Sequence, residues 1–111
     1  GDRCTAAGGY SSVSGGIRNI ASGSRSSVSG GGSNDAEGDY SNVSGGAENT
    51  ASGEYSSIGG GRVNETSGYS SNISGGTENL ASGNYSSVSG GFGGTAPGFY
   101  DWVAGDLFET D

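Results

Sequence analysis

Serine hydroxyls, three closely spaced carboxylates and one glycine string are the groups in this chain whose types and spacing could do chemistry. A serine attacks only when a base takes its proton, and the chain has no histidine, no lysine and a single cysteine, Cys4. Nucleophilic, Schiff-base and thiol catalysis therefore have no activating partner, and the chain is expected not to be an enzyme. Asp35, Glu37 and Asp39 alternate within one short stretch and could offer oxygens to Ca²⁺. The Ca²⁺-binding nonapeptide pattern is absent, so a solvated acidic edge is the expectation and no metal site is assigned. The string Gly91-Phe92-Gly93-Gly94-Thr95-Ala96 has dinucleotide-loop spacing, but no helix pattern follows and its glycines belong to a longer period. No catalytic, cofactor-binding or metal residues are expected. Asn42, Asn64, Asn72 and Asn84 each open an N-glycosylation triplet, a pattern that a serine-rich chain produces readily.

The elements that carry these groups must be unusual. Of 111 residues, 26 are glycine and only 29% are hydrophobic, with a formal charge of −8. That composition would signal disorder unless a repeat intervened. Four arginines against twelve acidic residues leave no basic footprint for nucleic acid or anionic lipid. No apolar run is long enough to insert in a membrane and no signal-peptide pattern is present. A lone cysteine makes no internal disulfide, though it could bridge two chains.

The repeat is there. Val13, Val28, Val43, Ile58, Ile73, Val88 and Val103 recur every 15 residues without insertion or deletion. Glycines keep the same register at Gly15 and Gly16, Gly30 and Gly31, and onward, with a further column from Gly8 to Gly98. Asn19, Asn34, Asn49, Asn64 and Asn79 form another column, and Ala6, Ala21, Ala36, Ala51, Thr66, Ala81 and Ala96 a small one. The unit reads G-x-Y-S-S-V-S-G-G-x-x-N-x-A-S.

Each unit holds two extended pieces of four or five residues, Tyr-Ser-Ser-Val-Ser and Asn-x-Ala-Ser, with glycine corners between them. A unit this short predicts an all-β parallel solenoid or β-roll of about seven coils, two short strands in each, stacked at about 4.8 Å. Alternation places Val13 and Ser11 on the inner face and Tyr10, Ser12 and Ser14 on the outer one. In the second strand Asn19 and Ala21 hardly vary between units, whereas the position between them runs Ile20, Asp35, Thr50, Glu65, Leu80 and Thr95. The asparagines are expected to stack as an amide ladder. One valine and one alanine per coil bury little, so backbone ladders must contribute, and a second chain against the outward serine face would help.

The runs Asn-Thr-Ala-Ser-Gly-Glu-Tyr-Ser-Ser-Ile (49 to 58) and Asn-Leu-Ala-Ser-Gly-Asn-Tyr-Ser-Ser-Val-Ser-Gly-Gly (79 to 91) resemble the head repeats of trimeric autotransporter adhesins, the YadA-like heads. The resemblance covers about residues 5 to 98. It implies a left-handed roll, a homotrimer, extracellular display at a bacterial or phage-like surface, and adhesion to host matrix or cell-surface ligands. The steady 15-residue unit departs from the usual 14, and no neck, stalk or anchor is visible. A free extracellular filament or a phage fibre is the neighbouring expectation. Regular hydroxyl rows also fit an ice-binding solenoid.

Residues 1–98 read as the repeat roll and 99–111 as a last coil with an aromatic cap or subunit junction. Pro97, Trp102, Ala104 and Asp106 break the columns there, and Phe99, Tyr100, Trp102 and Phe108 cluster. An open solenoid end needs such cover. The first coil, with Gly1, Asp2, Arg3 and Cys4, lacks the ladder asparagine and begins mid-repeat.

Overall fold

The structure, a computed structural model, describes residues 3–104. It is an all-β solenoid of about seven coils with two strands in each. One sheet takes the odd strands in order: β1 Thr5–Ala6, β3 Ile20–Ala21, β5 Asp35–Ala36, β7 Thr50–Ala51, β9 Glu65–Thr66, β11 Leu80–Ala81 and β13 Thr95–Ala96. The other takes the even ones: β2 Ser12–Val13, β4 Ser27–Val28, β6 Asn42–Val43, β8 Ser57–Ile58, β10 Asn72–Ile73, β12 Ser87–Val88 and β14 Trp102–Val103. Every pairing is parallel and shifted by one repeat, as Val43 on Ile58 and Ala51 on Thr66 show.

The core is a single column between the sheets. Val28, Val43, Ile58, Ile73 and Val88 from one side meet Ala21, Ala36, Ala51, Ala81 and Ala96 from the other, all fully buried. Large side chains facing small ones let the two sheets lie close, and the Cα trace is only 13 Å across its thinnest dimension. Ser26, Ser41, Ser56, Ser71 and Ser86 share the inner face with the valines, as alternation requires. The hydroxyls of Ser26 and Ser71 donate to the carbonyls of Gly23 and Gly68 at 2.7 Å, tying the corner to the strand.

Three features differ from the sequence expectation. The strands are two residues long, because the tyrosines lie outside them: Tyr10, Tyr40, Tyr55, Tyr85 and Tyr100 occupy the left-handed region at φ 60 or 61. The next position of this kind falls on Arg18, Ser33, Glu48, Val63 and Glu78, again not glycine. Most amides donate forward to the following coil, but these donate backward: Tyr40 N–H to Ser24 O at 2.8 Å and Glu48 N–H to Gly32 O at 2.9 Å. The left-handed turn reverses the amide, which gains a hydrogen bond with the preceding coil and offsets a conformational cost of about 1–2 kcal/mol.

Second, a third line of contact runs up the coil, formed by single bridges joining Ile17, Gly32, Ala47, Arg62, Thr77 and Phe92. Its side chains are unrelated in type, so only the backbone pairs. Third, the asparagine ladder is mainly a side-chain-to-backbone clamp. Asn49 donates from Nδ2 to Gly45 O at 3.1 Å and Gly61 O at 3.0 Å, while its Oδ1 accepts the Asn64 N–H at 2.9 Å. Among the described residues only the 3.2 Å bond from Asn49 Nδ2 to Asn34 Oδ1 links two amide side chains. Each buried asparagine thereby satisfies two carbonyls and one N–H across its own coil and the next, which keeps its burial from costing stability.

Candidate functional site: a serine face and a tyrosine ladder

With no pocket among the described residues, the candidate sites are surfaces. The even-strand sheet presents two ranks of outward side chains. One holds Ser12, Ser27, Asn42, Ser57, Asn72 and Ser87, the other Ser14, Ser29, Ser44, Gly59, Ser74 and Ser89. Their positions two apart on either side of an inward valine or isoleucine force both ranks outward. Neither rank carries a charge, although the chain has a formal charge of −8. Trp102 ends the first rank, 67% exposed, with Nε1 donating to Ser89 Oγ at 2.8 Å. The odd-strand sheet is mixed by contrast, with exposed Ile20, Glu65 and Thr95 and a half-buried Asp35 in one rank.

The second surface runs along the corner beside the even strands. Tyr40 and Tyr55 stack with ring centroids 4.7 Å apart and planes 5° from parallel, and Tyr85 and Tyr100 do the same at 5.2 Å and 9°. Tyr69 joins the two pairs through edge contacts of 5.6 Å to Tyr55 and 5.7 Å to Tyr85. Its ring enters although its residue is one place out of the tyrosine column, where Ser70 takes the left-handed position. At the other end the Arg25 guanidinium lies 5.2 Å from the centre of the Tyr10 ring and 5.6 Å from that of Tyr40. The ladder thus spans the described coils without a gap, and each aromatic neighbour contributes about 0.5–1.5 kcal/mol beyond buried area.

Partial burial, then the Tyr85 hydroxyl, the Glu54 carboxylate and the Tyr55 hydroxyl, raise the pKa of Tyr69 above the ordinary 10.0. Folding therefore favours the neutral phenol. The stabilisation is complete below about pH 10 and is lost as pH rises through the higher folded value. Melting temperature should fall above pH 10, and Tyr69→Phe, which keeps the ring, should remove part of that fall. An identical alkaline profile in wild type and variant would show that Tyr69 has no part in it.

The remaining sequence candidates are placed as follows. Asp35 is half-buried on β5 and its pKa is raised by desolvation, Glu37 is exposed, and Asp39 accepts the Ser24 N–H at 3.0 Å in a corner. Among the described residues no group of three or more potential ligands stands close enough to hold a metal. Gly91 to Ala96 run through the repeat, with the Gly94 N–H donating to Asn79 Oδ1 at 2.7 Å and Thr95–Ala96 forming β13. Of the four glycosylation triplets, Asn64 is buried in the clamp and Asn84 accepts the Tyr69 N–H, whereas Asn42 and Asn72 are exposed on the serine face. Cys4 stands at the clamp position of the first coil, its Sγ 3.4 Å from Gly16 O. In the aromatic segment, Phe99 and Tyr100 extend the ladder and Val103 pairs with Val88. Gly105, Asp106, Leu107 and Phe108 lie outside the described residues, as do Gly1 and Asp2. No helix among the described residues is long and apolar enough to cross a membrane.

These surfaces on this frame define a β-solenoid repeat protein. No protein-family model and no curated protein matches the chain.

Proposed function

We propose that the chain is an extracellular structural and adhesive module, an element of a surface fibre or adhesin head that acts by packing its serine face against further copies of itself. The observation that carries this reading is the uncharged face on a strongly acidic chain. Hydroxyls and amides donate and accept alike, so two such faces complement each other in register with the strand spacing of about 4.8 Å. Side chains this small allow close approach, and the charged rank of the opposite sheet stays in solvent. A free extracellular filament or a phage fibre would use the same face. Attachment to a host matrix or cell-surface ligand would then fall to the opposite sheet, where side chains differ from coil to coil.

Light scattering over a concentration series tests this. A discrete oligomer, a trimer for an adhesin head, or open growth for a filament is expected, strengthened by salt because the net charge repels. Ser27→Glu with Ser57→Glu, which brings like charges onto the meeting face, should shift the midpoint of association by tenfold or more with the circular-dichroism spectrum unchanged. A monomer at every concentration would overturn the reading. The same flat hydroxyl ranks, two side chains wide and repeating at the strand spacing, support a second reading as an ice-binding surface. A monomer showing thermal hysteresis would establish it.

A further inference from the structure

We propose that the tyrosine ladder is a site of oxidative cross-linking, at which a one-electron oxidant, a haem peroxidase with hydrogen peroxide, joins Tyr40 to Tyr55 and Tyr85 to Tyr100 through ring carbons beside their hydroxyls. Stacking hides the ring faces from any flat ligand, so the ladder offers ring edges and phenol groups. Those are accessible: Tyr40, Tyr55, Tyr85 and Tyr100 are 42%, 47%, 48% and 73% exposed. The Tyr40 oxygen already accepts a hydrogen bond from Arg25 Nη1 at 2.9 Å, which leaves its own O–H free to give up its proton to water.

The step balances. Each of two phenols gives one electron to the oxidant and one proton to solvent, and the two phenoxyl radicals pair their unpaired electrons in a new carbon–carbon bond. The ring hydrogens displaced at that bond return to the oxygens, restoring both phenols, while one hydrogen peroxide is reduced to two waters. Geometry selects the partners. The parallel pairs stand closest, with centroids 4.7 and 5.2 Å apart and planes 5° and 9° from parallel, so a small slide or tilt of these exposed rings brings the carbons beside the two hydroxyls together. In the edge contacts of Tyr69 the centroids are farther apart, at 5.6 and 5.7 Å, and the planes are inclined by 66° and 68°, so coupling there demands a large ring rotation that the parallel pairs do not need. Neighbouring rings from Tyr40 to Tyr100 lie within 5.7 Å of one another, so a radical formed on any of them passes to a coupling pair. Each bond would be a covalent rung between successive coils.

The test oxidises the dilute full chain with peroxidase and hydrogen peroxide. Cleavage after glutamate separates Tyr40, in segment 38–48, from Tyr55, in segment 55–65. The expected result is blue dityrosine fluorescence, a joined 38–48/55–65 product two hydrogens lighter than its parts, and a two-hydrogen loss within segment 79–109, all from chains of monomer mass. Tyr55→Phe keeps the stack and should abolish the first product while sparing the second. No dityrosine, products confined to chains of doubled mass, or joins to Tyr69 as frequent as the Tyr40–Tyr55 join would each overturn the proposal.

Discussion

Ile58→Asp is expected to abolish cooperative folding, with a loss of more than about 4 kcal/mol. Ile58 is fully buried at the centre of the valine column, between Val43 and Ile73, opposite the alanine column. Among the described residues no cation faces that column, so the new carboxylate would be neither paired nor hydrated. In a solenoid each coil is held by its two neighbours, and a break at the centre leaves two short stacks, each too small to persist alone. Val13→Asp is the control, because Val13 belongs to the first described strand of its sheet and is only partly buried. Its effect on the melt should be markedly smaller. Melting followed by circular dichroism compares them; an unaltered transition for Ile58→Asp would mean that the valine column is not the core.

Gly46→Ala should cost about 4–5 kcal/mol, whereas Gly45→Ala, one residue away, should leave stability unchanged or raise it by about 0.4–1 kcal/mol. Gly46 has φ +86, a conformation that burdens any side chain with about 1–2 kcal/mol. A Cβ there would also run into the Gly61 carbonyl oxygen and lie 2.7 Å from Asn49 Nδ2. Relief requires the coils to part, which breaks Ala47 N–H to Gly61 O and the Asn49 clamp on the same carbonyl. Gly45 has no positive φ, and a Cβ there meets nothing within 4 Å. Restricting its freedom in the unfolded chain is the only consequence. Equal melting temperatures for the two variants would remove the close approach of coils at Gly46 from the account.

That pair of glycines marks the limit of what periodicity reads. Both recur every 15 residues and both looked like corners, yet only the second is required by backbone and space. The tyrosines show the same limit from the other side. Their recurrence pointed to an outward ladder, and the rings do stack, but their left-handed backbone is unusual for an aromatic residue and is set by a carbonyl in the coil before. Tyr69, out of register, enters the ladder because an edge contact tolerates a displaced backbone where a parallel stack would not.

What the sequence by itself determined was everything that a strand's alternation and a strict period dictate. The parallel stacking, the two short strands per coil, the valine and alanine interior, the buried asparagines and the outward serine ranks all follow from them. Those features repeat because each coil buries the same positions against the same neighbours. The tertiary structure alone decided the reversed amides at the left-handed corners, the third bridge line through Ile17 and Phe92, the clamp geometry of each asparagine, and the parallel and edge contacts of the rings. Each of these depends on atoms one coil away, where backbone carbonyls and ring orientations act that no residue type records.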